Sequence, residues 1–109
     1  WPVISTMRTL MRAGAEVRIW SGRSDAVRTE TIEWLNRYFS CGFDAASVEL
    51  KMRRDGDFTP DEKLKESWLD ELSPDDAGRL VAVFDDRDKV VRMWREAGVS
   101  CFQVAPGEF

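Results

Sequence analysis

The chain has no histidine, a single tyrosine and only two cysteines among its 109 residues. Without histidine, the Ser-His-Asp triad, Cys-His proteolysis and His-ligated zinc are all excluded. Any proton donor or acceptor must be a carboxylate, a lysine or the tyrosine. Cys41 and Cys101 are too few for a disulfide framework or a four-thiolate metal site, and they read as reduced, buried thiols of a cytoplasmic protein. No apolar run approaches the length needed to cross a bilayer, which leaves no membrane partner. The charge balance, 16 Lys+Arg against 20 Asp+Glu, argues against broad, nonspecific attraction to nucleic acid. A local basic cluster nevertheless stands at Lys51, Arg53 and Arg54.

With 43% hydrophobic and 11% aromatic residues, the composition is that of one globular domain over 1–109. A chain of this size buries roughly 65% of its unfolded surface, enough for a single core. It opens on Trp1-Pro2 with no initiator Met, as though a helix were already under way, and is expected to be the C-terminal part of a larger protein.

Val3, Ile4, Met7, Leu10 and Met11 recur at helical spacing, with Pro2 suited to the first helical position and Gly14 to the stop. Glu16 to Trp20 reads as a strand running into the polar loop Ser21-Gly22-Arg23-Ser24. Ser24 or Asp25 can cap a following helix that carries Ile32, Trp34, Leu35, Tyr38 and Phe39 to a break at Cys41-Gly42. A strand over 47–52 and a charged turn over 53–58 come next. Thr59, Pro60 and Glu62 predict a capped helix reaching about Leu72, followed by a turn at Ser73-Pro74-Asp75-Asp76. Leu80 to Phe84 predicts a strand buried on both faces, ending at Asp85-Asp86-Arg87. A last helix with Val90, Val91, Trp94 and Ala97 stops at Gly98 before a strand over 101–104. The five tryptophans, Trp1 excepted, are expected in the core. Helices alternating with short buried strands predict an α/β fold, a parallel sheet with helices on both faces. Ligands in such sheets sit beyond the carboxyl ends of the strands, where both polar loops fall.

Asp85 and Asp86, adjacent carboxylates after a buried strand, repel each other unless a cation is near, and Mg²⁺ is the natural partner for one or two carboxylates. The competing reading is that one of them caps the next helix. Ser21, Gly22 and Arg23 offer a hydroxyl, a close backbone approach and a guanidinium fork suited to a phosphoryl oxygen; the same residues also serve plain turn chemistry. Lys65 could reach a phosphate, or simply form a solvated pair with Asp61 one turn away.

Strand-Ser, helix-Lys and strand-Asp-Asp, in that order, resemble motifs two to four of the haloacid dehalogenase phosphatase superfamily. The stretches IWSGRSD, RRDGD, DEKLKE and VFDDRDKVVRMWREAGVSCFQVAPGEF resemble the 3′-phosphatase domain of phage polynucleotide kinase/phosphatases. The resemblance implies a three-layer sandwich with a mainly parallel, Rossmann-like sheet and a Mg²⁺-dependent phosphatase that removes 3′-phosphates from nucleic-acid ends through an aspartyl-phosphate. Ser21, Lys65, Asp85 and Asp86 take the catalytic roles, Asp85 and Asp86 hold Mg²⁺, and Gly22, Arg23, Arg53 and Arg87 bind substrate, with Asp61 positioning the lysine. A kinase module in the parent chain and self-association are further implications.

The family's first motif, Asp-x-Asp-x-Thr, is expected ahead of these residues, and none stands before Ser21. Asp55-Gly56-Asp57-Phe58-Thr59 matches the pattern, but it follows a charged segment and lies out of order, so the nucleophile and its central strand are expected to be missing. Two other readings remain: a phosphatase of small metabolites with the same fold, and a non-catalytic association module using its tryptophans.

Overall fold

The computed structural model describes residues 2–38 and 48–109, which divide into two compact units, Trp1–Asp57 and Phe58–Phe109.

In the first unit, helix α1 spans Pro2–Arg12, strand β1 Arg18–Ser24, helix α2 Arg28–Tyr38 and strand β2 Glu49–Arg53. Helix α1 presents Ile4, Met7 and Met11 to a core built on Leu35, Val48, Leu50 and Met52. It ends where expected: Gly14 adopts φ +94°, and its amide and that of Ala15 donate to Met11 and Leu10 carbonyls. Strands β1 and β2 run parallel, Ile19 beside Leu50 and Ser21 beside Met52, with a register shift before Ser24 meets Arg53. The crossover through α2 is what a parallel pair requires. The strand thus runs on through Ser21-Gly22-Arg23-Ser24, which the sequence reading placed in a loop. The shift absorbs the turn-like residues inside the ladder. Ser24 does cap the next element, a single 3-10 turn over Asp25–Val27, by accepting from the Ala26 amide. The expected break at Cys41-Gly42 lies outside the described residues.

In the second unit, helix α3 covers Asp61–Asp70, α4 Pro74–Arg79, strand β3 Val83–Asp85, helix α5 Asp88–Glu96 and strand β4 Cys101–Gln103. Val83 pairs in parallel with Cys101, and Asp85 with Gln103. Helix α5 packs against α3, β3 and β4, burying Val90, Val91, Met93 and Trp94 with Leu64 and Trp68.

Three expectations are corrected here. Helix α3 starts one residue late: Pro60 is the N-cap, in extended geometry with no side-chain cap bond, and its carbonyl accepts from Lys63 and Leu64. The turn at 73–76 is instead the start of α4, because Ser73 accepts from the Asp76 amide and Pro74 fits the first turn. The strand at 80–84 contracts to Val83–Asp85, with Val81 85% exposed, so the apolar run is not covered on both faces. Among the tryptophans, Trp68 and Trp94 are core residues, whereas Trp34 lies at the surface of α2. Its ring centre lies 4.7 Å from that of Tyr38 one turn away, the two planes tilted by 47°, off the stripe that buries Thr31 and Leu35.

Gly98 closes α5 at φ +83°, with the Val99 amide reaching back to the Trp94 carbonyl and open space where a Cβ would stand. The penalty for a side chain there is purely conformational. Gly98→Ala is expected to cost about 1 kcal/mol in urea denaturation. Gly78→Ala in α4, also with open space and no positive φ, should instead be neutral or stabilising.

Candidate active site

In the second unit, Asp85 sits at the carboxyl end of β3 and Lys65 one turn into α3, two positions that a helix packed on a strand's neighbour can bring together. Lys65 is buried at 7% exposure, which demands anionic partners. Its Nζ lies 3.1 Å from Asp85 Oδ2 and 3.5 Å from Asp61 Oδ2. Arg87 Nη1 stands 3.8 Å from the same Asp61 oxygen. Two carboxylates therefore alternate with two cations along one run, with no net charge. The i,i+4 pair of Asp61 and Lys65 exists, as the plain reading held, but it is buried and extended to Asp85.

The second oxygen of Asp85 organises its own loop, Oδ1 accepting from the amides of Asp86 at 2.9 Å and Arg87 at 3.5 Å. Neither aspartate caps α5, whose N-cap is Arg87 with no side-chain cap bond. Asp86 is exposed. Adjacent hard oxygens of this kind suit Mg²⁺, which commonly takes one or two carboxylates and completes its shell with water and phosphate oxygens. No group of three or more potential ligating side chains occurs among the described residues, so a cation here would depend on those other oxygens.

In the first unit, the parallel β1 and β2 bring Ser21, Gly22, Arg23 and Arg53 to one sheet end. Ser21 Oγ accepts from the Arg23 amide at 3.2 Å, which leaves its hydroxyl proton available to a phosphoryl oxygen. Arg53 is partly committed: its Nε donates to the Gly22 carbonyl and its Nη1 to that of Asp57, so it braces the strand end. Arg23 is exposed. Asp55 belongs to the turn after β2, accepting from Ser24 Oγ at 2.9 Å while its amide donates to Asp25 Oδ1, and Gly56 adopts φ +82°.

Burial, and after it the neighbouring Asp85 carboxylate, push the Cys101 thiol above its usual range, so it is a poor nucleophile at neutral pH. Cys41 lies outside the described residues.

Sequence reasoning missed Gln103 and Gly107. Gln103 Nε2 donates to the Asp86 carbonyl and to Asp88 Oδ1, and the Gly107 carbonyl accepts from the Asp88 amide. The available signal was a glycine directly after Pro106 in the tail Val104-Ala105-Pro106-Gly107-Glu108-Phe109.

Residues 1–109 match the family described as "Polynucleotide kinase PNKP phosphatase domain". Among solved structures, a chain in "Structure of the Pnkp1/Rnl/Hen1 RNA repair complex" is 33% identical, with a TM-score of 0.79 over 99% of this chain and 33% of its own length. A second, in "Structure of Pnkp1/Rnl/Hen1 complex", gives the same identity and TM-score over 99% of this chain and 36% of its own. The 109 residues thus span about a third of the chains they match.

Proposed function

The chain belongs to the polynucleotide kinase PNKP phosphatase domain family, of haloacid dehalogenase type, and from that premise we propose that it supplies the phosphate-binding and metal-binding side chains of a nucleic-acid 3′-phosphatase. The observation that carries this reading is the buried Lys65 held between Asp85 and Asp61. A lysine taken out of water on a helix beside the end of a strand is costly to keep, and a phosphoryl oxygen is the kind of anion it can neutralise.

In this reading Lys65 stabilises charge on the transferring oxygens, Ser21 donates its hydroxyl proton to one of them, and Arg23 and Arg87 bind the nucleic-acid end. Asp85 and Asp86 hold Mg²⁺, which when bound offsets the negative charge gathering on the phosphoryl group. A carboxylate outside these residues attacks phosphorus and displaces the 3′-hydroxyl. Water then hydrolyses the acyl phosphate, releasing inorganic phosphate and regenerating the carboxylate. The reading also takes both units into one domain, a three-layer sandwich whose first-motif strand is carried elsewhere in the parent protein. Supporting it, each sheet has two strands among the described residues, so β1 and β3 each have an edge on which a strand could add. The turn-building bonds of Asp55 favour its exclusion as the nucleophile. A kinase module, self-association, and RNA ends handled alongside other repair proteins are part of the same proposal, the last suggested by the complexes holding the similar chains.

The test is phosphate release from a 3′-phosphorylated RNA oligonucleotide by the full-length protein. Release should require Mg²⁺, and Asp86→Ala should lower kcat/KM at least 10²-fold, on the order of removing one electrostatic stabiliser. Asp75→Ala, on the exposed face of α4, should leave it unchanged. Release that persists in chelator, or is indifferent to Asp86→Ala, would sink the reading. Faster turnover of a small phosphorylated metabolite would instead favour the metabolite phosphatase.

A further inference from the structure

The loop Asp85–Asp88 has more polar backbone than its own residues satisfy. The Asp85 side chain takes the amides of Asp86 and Arg87. Left over are the carbonyls of Asp85 and Asp86, the amide of Asp88 and the Nε of Arg87, whose Nη1 faces Asp61 instead. All are met by one segment, the end of β4 and the tail after it. The Val104 amide donates to the Asp85 carbonyl at 3.0 Å. Gln103 Nε2 donates to the Asp86 carbonyl at 3.1 Å and to Asp88 Oδ1 at 2.6 Å. The Asp88 amide donates to the Gly107 carbonyl at 2.6 Å. Arg87 Nε donates to the Phe109 carbonyl, with the guanidinium carbon 5.5 Å from the Phe109 ring centre.

Gly107 is buried, and its φ is not positive, so its backbone does not need glycine. Space does. A Cβ there would stand 1.9 Å from the Asp86 carbonyl oxygen, 2.7 Å from its carbon and 2.9 Å from Arg87 Cα. All three are backbone atoms of the loop. They cannot swing aside like the end of a flexible side chain, so any side chain at 107 must displace either the loop or the tail.

We propose that residues 103–109 are a brace that sets the conformation of the Asp85–Asp88 loop, with Gln103 and Gly107 as positioning residues for its Mg²⁺- and phosphate-binding side chains. The metal half of this inference rests on the phosphatase reading; the bracing half does not. A loop carrying two adjacent carboxylates tends to spread by mutual repulsion. Tying its carbonyls and its last amide to a strand end resists that spread before any cation arrives, and so lowers the ordering cost of binding one.

The experiment uses the full-length protein and two variants. Gln103→Leu removes the donor at an exposed site where misfolding is not expected, and Gly107→Ala presses on the loop directly. Amide hydrogen exchange of Asp86, Arg87 and Asp88 is measured without metal, and the Mg²⁺ dissociation constant is measured by calorimetry. Both variants should speed exchange at these amides at least tenfold while α3 and the middle of α5 stay protected. Both should weaken Mg²⁺ at least tenfold, with Gln103→Leu recovering most of its turnover at saturating Mg²⁺. Unchanged exchange in Gln103→Leu overturns the brace. Faster exchange with unchanged Mg²⁺ affinity overturns its role in positioning the site. A wild-type protein that neither binds Mg²⁺ nor releases phosphate defeats the phosphatase reading, and the exchange arm, which needs neither, tells that failure from a failure of the brace.

Discussion

Lys65→Met is expected to cost about 3–5 kcal/mol of stability, the usual penalty for stripping one partner from a buried ion pair. Methionine fits the stem of the lysine but leaves Asp61 and Asp85, at 11% and 12% side-chain exposure, without the cation they share. Arg87 remains 3.8 Å from Asp61, so the heavier burden falls on Asp85. Adding Asp85→Asn should therefore restore part of the stability, because it removes the uncompensated charge, and should restore none of the turnover. Urea denaturation of the full-length protein, paired with 3′-phosphate release, separates the two effects. A loss below about 1 kcal/mol, the range of an exposed pair, would show that the lysine is solvated and not buried.

The second large effect is expected at Trp94. At 2% exposure it lies in the middle of the α5 face that packs on α3 and the β3–β4 pair. Trp94→Ala removes most of an indole from a site whose neighbours can close only partly, at a cost of about 3–5 kcal/mol. Trp34→Ala, at 37% exposure and with its ring against Tyr38, should cost less, about 1 kcal/mol. Denaturation of the two variants side by side checks the ranking. Equal losses would mean that Trp94 is not the core residue its burial indicates.

The same two tryptophans show what could be read in the chain and what could not. Helical spacing identified α5 correctly, with its stop at Gly98, because a 3.6-residue period and a left-handed glycine are local signals. Trp34 sits in an equally helical pattern, yet whether an aromatic stripe turns inward depends on what the helix meets, which no local signal records. The contraction of the 80–84 strand has a similar cause: a run of apolar residues states a preference for burial, whereas strand pairing needs a partner in register. The α/β organisation with parallel strands followed from element order.

At the site, the order of Ser21, Lys65, Asp85 and Asp86 made the family legible, and the structure adds that Lys65 meets Asp85 and Asp61 at once. Arg53, which the family resemblance assigns to substrate binding, is found tied to two carbonyls, and that of Gly22 becomes its neighbour only through the β1–β2 pairing. Gln103 was illegible for the same reason. Its importance comes from a crossover that returns β4 to the end of β3.

The alternating run Arg87, Asp61, Lys65 and Asp85 has a consequence for how ionic strength acts on the protein. Screening by dissolved salt reaches exposed charges within a Debye length of about 8 Å at physiological strength and buried ones far less. A neutral, largely buried group of four charges should therefore hold its geometry from dilute buffer to high salt. On the nucleic-acid reading proposed above, the cations that shed counterions on meeting a strand are those open to solvent, the exposed Arg23 and Arg54 and the half-buried Arg87 among them. On that reading, the logarithmic dependence of strand affinity on salt, with a slope of about −0.7 per phosphate neutralised on a single strand, counts such cations and leaves the buried Lys65 out of the sum.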